Sequence, residues 1–245
     1  MIERLLSRAG QEAMRLYAAA MLDMDVQWQA ALPLGPLVLA ANHPTTTDPF
    51  YLLALMPAPA SVLVTEAAFR VPVFGRYLQA AGHVPAVVHS GGATVETLRR
   101  KLADGHSVAI FPEGALSPCP GRFHPPHTGV ARLALSSGAP VIPVGIDLDH
   151  GRVLPFTTEI EGQAVPGRVY LRGRYAITVG RPIWFQGSSQ NRLLVRSVAG
   201  EIMGRIGELA DESRRRMARR QVSARALARP VPVVAASYGG ATDRD

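Results

Sequence analysis

The sequence predicts an α/β fold: a single domain with a mostly parallel central sheet flanked by helices. Short apolar runs typical of buried strands alternate along the chain with segments of helical periodicity, as they do in α/β domains. The chain has 245 residues, a length that suits one large domain. Hydrophobic residues make up 47% of it, which is enough to build a sizeable core.

The N-terminal segment, assigned to residues 1–27, is predicted to be an amphipathic helix. Residues 2–22 place apolar side chains at helical spacing. This helix either packs on the domain or lies in a membrane interface. Three arginines on its polar side, Arg4, Arg8 and Arg15, are compatible with the second alternative.

The central domain is assigned to residues 28–187. Strands are predicted at 36–42, 60–67, 83–88, 107–111 and 139–146. Helices are predicted at 48–56, 69–82, 93–105 and 128–138. We expect Asp48 to cap the first of these helices, with Pro49 at its first position, where the missing N–H costs nothing. Residues 168–180 predict a hairpin or two short strands.

The C-terminal part begins with a long helix, predicted at residues 188–221. It carries an apolar stripe made of Leu193, Leu194, Val198, Ile202, Ile206 and Leu209. The stripe is followed by Arg214, Arg215, Arg216, Arg219 and Arg220. Either the helix packs in the core with a solvated basic end, or it docks on anionic lipid. Residues 222–245 predict a disordered tail.

The overall charge limits the classes of partner. The formal net charge is +7, and Lys101 is the only lysine. This excess reflects either an arginine-biased composition or an anionic partner, such as a membrane surface or a phosphorylated substrate. The sequence carries no zinc finger, RNP motif or basic strand pattern with interleaved aromatic residues, so we expect no nucleic-acid partner.

The same composition bears on location. No segment reaches the ~18 apolar residues that a membrane span requires. The first residues lack the basic, apolar and cleavage regions of a signal peptide. One cysteine, Cys119, excludes an internal disulfide framework. We therefore expect a cytoplasmic protein whose membrane contact is peripheral.

The first candidate motif, NHPTTTDP, begins at Asn42, where a predicted strand ends. The chain must turn there, so His43 and Asp48 can come within hydrogen-bond range. An aspartate that accepts from one imidazole nitrogen fixes the tautomer and makes the other nitrogen a general base. No GxSxG or phosphate-loop motif supplies an alternative chemistry, so the base is expected to act on a substrate hydroxyl.

The second candidate motif, FPEGALS, follows the strand predicted at 107–111. Gly114 lets backbone approach a ligand, and Glu113 can accept hydrogen bonds from substrate hydroxyls. Ligands in α/β sheets bind beyond the carboxyl ends of the strands. Because both motifs follow strands, we expect them to form one site. His124 and His127 lie in a Pro-rich loop without an HExxH motif, so no metal is expected.

These motifs resemble the PlsC-like glycerolipid acyltransferase family, which includes the lysophosphatidic acid acyltransferases. The matching blocks are Asn42, His43, Asp48, Pro49 and Phe50; Phe111, Pro112, Glu113, Gly114 and Ser117; and Val141, Ile142, Pro143 and Val144. The resemblance extends over about residues 35–185. It implies an O-acyltransferase that moves a fatty acyl group from acyl-CoA or acyl carrier protein to an acceptor hydroxyl, without a cofactor or metal.

The resemblance also implies roles for individual residues. His43 would be the general base and Asp48 its orienting partner. The acceptor would be a lysophospholipid of the 1-acyl-glycerol-3-phosphate type. Asn42, Glu113, Gly114 and Ser117 would lie in the substrate site.

One departure from the family pattern affects the acceptor. Leu116 stands where phosphate-binding members carry an arginine in the EGTRS form of the block, and leucine cannot bind phosphate. Either Arg76, Arg122 or His127 supplies the charge, or the acceptor is not a phosphomonoester. The alternatives are an acyltransferase for another lipid, such as an aminolipid, a thioesterase, and a non-catalytic lipid-binding member of the fold.

Overall fold

The computed structural model describes residues 2–56, 59–86, 91–160 and 163–227. The predicted α/β class is confirmed: helices cover both faces of a seven-stranded sheet. The helices are α1 (Ile2–Met21), α2 (Asp48–Leu55), α3 (Glu66–Phe69), α4 (Phe74–Ala80), α5 (Gly91–Ala103), α6 (Gly129–Ser137) and α7 (Arg192–Leu227). A short 3-10 turn spans His150–Arg152.

The strands in the described residues form one large sheet and one hairpin. They are β1 (Leu22–Trp28), β2 (Val38–Ala41), β3 (Ala60–Thr65), β4 (Val84–Ala86), β5 (Ser107–Ile110), β6 (Val141–Leu148), β7 (Leu154–Ile160), β8 (Gln163–Val169) and β9 (Gly173–Val179). The sheet order is β1-β9-β6-β2-β5-β3-β4, and β7 pairs with β8 separately.

The strands from β6 to β4 in the sheet order run parallel. Strand β9 is antiparallel to β6, and β1 is parallel to β9. Strands β2, β5 and β6 are buried along their whole length, which explains why apolar residues fill consecutive positions in them. Ala40 of β2 pairs with Ile110 of β5 on one side and with Pro143 of β6 on the other. The carboxyl ends of these three parallel strands therefore point to the same edge of the sheet.

The core has one layer on each side of the sheet. Helices α1 and α2 contribute to the first layer, which contains Leu52, Met56 and Tyr175. Helices α5, α6 and α7 form the second, which contains Leu98, Leu133 and Ile202. The helices cover the two faces of the sheet and leave the edge at the carboxyl ends of the parallel strands to loops. The two candidate motifs lie in these loops.

Both terminal segments differ from their predicted bounds. Helix α1 ends at Met21, and residues 22–28 form β1 rather than the end of an N-terminal helix. Helix α7 begins at Arg192 and continues to Leu227, so the first residues assigned to the tail are helical. The remaining tail, residues 228–245, lies outside the described residues, as do residues 87 and 88 of the predicted strand 83–88.

Two further predictions need correction. Only α4 lies within the helix predicted at 69–82, because the chain turns at Val73, which has a φ of 66°, before α4 begins; the short α3 ends at Phe69, where that helix is predicted to begin. Helix α2 has Thr47 as its N-cap, and Asp48 is its first residue, so the predicted cap was wrong by one position. This shift releases the Asp48 carboxylate for another contact.

Candidate active site

The turn after β2 brings His43 and Asp48 together. Nδ1 of His43 lies 3.1 Å from Oδ2 of Asp48. The imidazole stacks on the Phe111 ring, with 4.1 Å between the ring centroids. Nε2 has no hydrogen-bond partner among the described residues, and the side chain is 16% exposed. The ring is therefore fixed on one side and open at the nitrogen that a general base would use.

The Asp48 carboxylate is fully buried and held by several donors. Its Oδ2 accepts a 2.6 Å bond from the Thr45 backbone N–H. Its Oδ1 accepts from the Thr45 hydroxyl at 2.6 Å and from the Tyr175 hydroxyl at 2.7 Å. These hydrogen bonds compensate the burial of the charge and fix the carboxylate opposite the imidazole.

Tyr175 belongs to this site, although no sequence motif points to it. It lies on β9, 127 residues after Asp48, and is fully buried. Burial raises the pKa of its hydroxyl well above the ordinary value, and the Asp48 charge raises it further. The phenol therefore keeps its proton and acts as a donor to the carboxylate.

Glu113 joins the two motifs. Its Oε1 accepts from the His43 backbone N–H at 3.2 Å and from the Ser117 hydroxyl at 2.6 Å. Its Oε2 accepts from the His124 backbone N–H at 2.9 Å. The side chain is buried, so this carboxylate holds the FPEG turn against the end of β2. This arrangement agrees with the expectation that the NHPTTTDP and FPEGALS motifs form one site.

Asn42 and Ser117 also make internal contacts. The Asn42 amide donates to the Ile146 carbonyl at 2.9 Å and accepts from the Ile146 N–H at 2.7 Å. The Ser117 N–H donates to the His43 carbonyl at 2.8 Å. Both side chains are buried, so their direct role is to support the backbone on either side of His43.

Four predicted site residues remain: Gly114, His127, Arg76 and Arg122. Gly114 has a φ of 66°, and a Cβ built on it would lie 2.6 Å from Cδ2 of His127, so the imidazole of His127 covers this turn. Arg76 lies on α4 and Arg122 in the turn at Cys119. Both arginines are exposed, and neither guanidinium has a hydrogen-bond or ion-pair partner among the described residues.

Two cavities flank the FPEG turn. The smaller, of about 160 Å³, is bordered by Asn42, Pro44, Ser117, Asp147, His150, Arg168 and Arg214, among other residues. The larger is an open groove of about 800 Å³, lined by Ala115, Leu116, Pro155, Phe156, Thr157, Pro166, Gly167 and Arg168. The β7–β8 hairpin, which the sequence analysis did not predict, forms one wall of this groove.

A metal site and a membrane-spanning helix are both absent from the described residues. No group of three or more His, Cys, Asp or Glu side chains is placed to hold a metal ion in residues 2–56, 59–86, 91–160 and 163–227. Within the same ranges, no helix is both long enough and apolar enough to cross a membrane.

Comparison with known proteins identifies the class. The Acyltransferase family model matches residues 23–147, slightly more than half of the chain and a stretch that includes both motifs. The chain therefore belongs to the Acyltransferase family. No curated protein matches significantly.

The fold has a counterpart among solved structures. It is similar to the crystal structure of the 1-acyl-sn-glycerophosphate (LPA) acyltransferase, PlsC, from Thermotoga maritima. The TM-score is 0.55 at 18% sequence identity, and the match covers 84% of this chain and 79% of that chain. At this identity the likeness establishes the shared fold.

Proposed function

We propose that this protein is an O-acyltransferase that moves a fatty acyl group from acyl-CoA or acyl carrier protein to a hydroxyl of a lysophospholipid-type acceptor. The observation that carries the proposal is the His43–Asp48 pair, 3.1 Å apart, with the second imidazole nitrogen open. The membership of the Acyltransferase family supports the reaction class. The structural likeness to an enzyme described as acting on 1-acyl-sn-glycerophosphate supports the acceptor class.

The proposed mechanism uses His43 as a general base. Nε2 takes the proton of the acceptor hydroxyl while its oxygen attacks the thioester carbonyl. When the C–S bond breaks, the thiolate leaves and takes the proton from the imidazolium, which restores neutral His43. The buried Asp48 carboxylate holds Nδ1 and stabilises the imidazolium between these two steps.

A second candidate has its own support. Leu116, in place of the family's arginine, borders an apolar groove. A protein that binds lipid without turning it over, or one that acylates an aminolipid, would also have such a groove. The intact His43–Asp48 contact favours catalysis, because a binding module does not need an oriented base.

A purified-protein assay separates these functions. We would measure thiol release from palmitoyl-CoA by the wild type and His43→Ala with one acceptor at a time: lysophosphatidic acid, a lysophospholipid with a blocked phosphate, an acyl-ornithine, and none. We expect release with lysophosphatidic acid that is lost in the variant. Release without acceptor would instead indicate a thioesterase. Lipid binding without release from either donor type would indicate a non-catalytic protein.

The proposed partner is also a membrane surface, and α1 provides the reason. This helix turns polar side chains toward the domain: Ser7 donates to the Ala60 carbonyl, and Gln11 to the carbonyls of Leu53 and Met56. Three of its large apolar side chains point outward: Ile2 is 71%, Leu5 67% and Leu16 73% exposed. A helix with its apolar side outward is suited to an apolar phase outside the protein.

The charges beside this stripe favour an anionic bilayer on the cytoplasmic side. Helical spacing places Arg4, Arg8 and Arg15 along one flank of it. Arginines at both sites are partly paired: Arg15 of α1 binds Glu12, and at the basic end of α7 Arg216 binds Asp25 and Arg214 binds Asp211. The exposed apolar side chains therefore distinguish α1 from the end of α7. Helix α7 also packs on the opposite face of the sheet from α1. We therefore assign membrane contact to α1.

Vesicle sedimentation tests this assignment. The double variant Leu5→Gln and Leu16→Gln should bind vesicles containing anionic lipid less tightly than the wild type. The matched control is Leu193→Gln, since Leu193 is 78% exposed on α7. Equal binding by all three proteins would contradict a role for α1. A loss in the double variant Arg215→Gln and Arg219→Gln, in which both replaced side chains are exposed, would instead assign contact to the arginine cluster.

A further inference from the structure

The family's arginine in the FPEG block is replaced by Leu116, but the structure brings another cation to the same place. We propose that Arg168, on β8, binds the anionic head group of the acceptor and so determines acceptor specificity. This inference rests on the proposed acyl-transfer function. It differs from the three basic residues considered on sequence grounds, Arg76, Arg122 and His127.

The position of Arg168 is fixed by both motifs. Its Nη2 donates to the carbonyl of Ser117, the residue after Leu116. Its own carbonyl accepts from the Thr46 backbone N–H at 2.8 Å, inside the His43–Asp48 turn. A half-buried side chain tied to both blocks has little freedom, so the remaining guanidinium donors are held in place for a ligand.

The charge of Arg168 is uncompensated, unlike that of its neighbours. Among the described residues no carboxylate lies within ion-pair distance of its guanidinium. The other basic residues of the smaller cavity have carboxylate partners: Arg214 binds Asp211, and His150 lies 3.2 Å from Asp147. A guanidinium with free donors beside a cavity suits a phosphate or carboxylate, which it can bind through two parallel hydrogen bonds.

The surroundings of Arg168 match an amphiphile. Arg168 borders both the small polar cavity and the groove lined by Leu116 and Phe156. The groove volume of about 800 Å³ is in the range of known ligand sites. An anionic head group would bind the guanidinium, and an acyl chain would pack on Leu116 in the groove. Leu116 thus provides apolar contact where the family's arginine would provide charge.

One residue links Arg168 to the catalytic turn. Ser117 donates its N–H to the His43 carbonyl, and its own carbonyl accepts from Nη2 of Arg168. The guanidinium is therefore connected to the His43 backbone through the main chain of a single residue, which fixes the anion position relative to the turn.

Steady-state kinetics test the role of Arg168. We expect Arg168→Gln to raise the KM for lysophosphatidic acid roughly 10- to 100-fold, the factor expected for losing a charged hydrogen bond, with a smaller change in kcat. Arg168→Lys should retain part of the affinity. Adding Leu116→Arg to Arg168→Gln should recover it. Arg205→Gln, on the exposed face of α7, is the matched control and should not change KM.

Two outcomes would overturn the inference. An unchanged acceptor KM in Arg168→Gln, with a wild-type melting temperature, would show that the anion lies elsewhere. A rise in the KM for acyl-CoA instead of the acceptor would assign the guanidinium to the phosphates of the donor. Recovery by Leu116→Arg is a readout that a purely structural loss at Arg168 would not produce.

A binding measurement separates this inference from the proposed function. Calorimetric titration with a short-chain, soluble 1-acyl-glycerol 3-phosphate needs no turnover. Tighter binding by the wild type than by Arg168→Gln, with no difference for the uncharged 1-acyl-glycerol, would support the site even if no transfer occurred. Absent binding to the wild type, or equal binding by both proteins, would overturn it even if transfer were observed.

Discussion

The hydroxyl of Tyr175 donates a 2.7 Å hydrogen bond to Oδ1 of Asp48, while Oδ2 of the same carboxylate faces His43. Tyr175 lies on β9, which runs antiparallel to β6. The charge on Asp48 is therefore held from the side opposite the imidazole. Tyr175 is a positioning residue, because it acts on the base only through Asp48.

Replacing Tyr175 by phenylalanine removes one donor from the carboxylate. We expect kcat to fall by about tenfold, since a hydrogen bond to a charged group contributes about 1.5–3 kcal/mol and only part of it acts in the transition state. Because the phenol is fully buried, the KM for acyl-CoA should stay at the wild-type value. Tyr170→Phe is the control, because its hydroxyl donates to the Arg174 carbonyl; an equal loss of kcat there would contradict the role of Tyr175.

Replacing Asp48 by asparagine keeps the size and removes the charge. The amide nitrogen would have to face a donor, because the Thr45 N–H and the Tyr175 hydroxyl both donate to this group. We expect kcat to fall on the order of 10³- to 10⁴-fold, the loss associated with a wrongly held imidazole. Single-turnover transfer from labelled acyl-CoA would measure it. Activity within tenfold of wild type would exclude Asp48 as the orienting group.

Replacing Gly114 by alanine tests the shape of the FPEG turn. The new Cβ would lie 2.6 Å from His127, at a φ of 66°, so we expect a loss of about 1–2 kcal/mol from the backbone conformation alone. Gly200→Ala on α7 is the matched control, because nothing lies within 4 Å of its added Cβ. It should stabilise the helix by about 0.5–1 kcal/mol. Urea unfolding of both variants gives the comparison, and equal changes would contradict it.

Replacing Arg216 by glutamine tests whether the basic end of α7 belongs to the fold. Its guanidinium donates to Asp25 at 3.1 Å and to Thr178 at 2.7 Å, and so ties α7 to β1 and β9. We expect a loss of about 1.5–3 kcal/mol, the contribution of hydrogen bonds to a charged group, because both side chains of the pair are partly buried. The exposed Arg215 provides the control. A melting temperature unchanged in Arg216→Gln would show that the residue is not structural.

Acid should destabilise the protein through His83. Its Nδ1 accepts from the Val62 N–H, its Nε2 is buried with no partner in the part of the chain that the structure describes, and burial lowers the pKa of the imidazole to about 4. The unfolded chain takes up the proton near the ordinary pKa of 6.5. This contribution is therefore complete above pH 6.5 and is lost as the pH falls toward 4, by on the order of 3 kcal/mol.

Urea unfolding at intervals between pH 7.5 and pH 4.5 would measure this loss. His83→Gln should show a weaker dependence on pH than the wild type across the same range. Identical dependence in both proteins would assign the acid sensitivity to other groups, among which His106 also has a pKa lowered by burial.

The sequence predicted the parts of the fold that carry a local signal. Strands β2, β5 and β6 are continuous apolar runs because both of their faces are buried. Strand β1 lies at the end of the segment predicted to be the N-terminal helix; it is a strand because it pairs with β9, a contact that no local pattern indicates. The hairpin β7–β8 has mostly exposed residues and two prolines, Pro155 and Pro166, so periodicity could not indicate it.

The residues of the site also fall into those with a local sequence signal and those without one. His43, Asp48 and Glu113 were predictable because each follows a strand within one short turn. Tyr175 and Arg168 were not, because they reach the site from strands that lie 127 and 122 residues away from the residues they contact. The sheet order, in which β9 is next to β6 and β6 next to β2, brings Tyr175 to the catalytic turn. Arg168 lies on the separate β7–β8 hairpin, whose backbone is bonded to that turn at Thr46.

The parallel pairing of β1 with β9, in which Leu22 lies opposite Gly173, also has a consequence for how the chain is made. During synthesis, β1 leaves the ribosome long before its partner and must wait with its backbone groups unpaired. Contacts between such distant segments form slowly, and an unpaired strand is an aggregation hazard that charges reduce. Asp23 and Asp25 place two charges on this strand, and loss of β1 would leave β9 as an unpaired edge of the sheet, open to pairing with another copy.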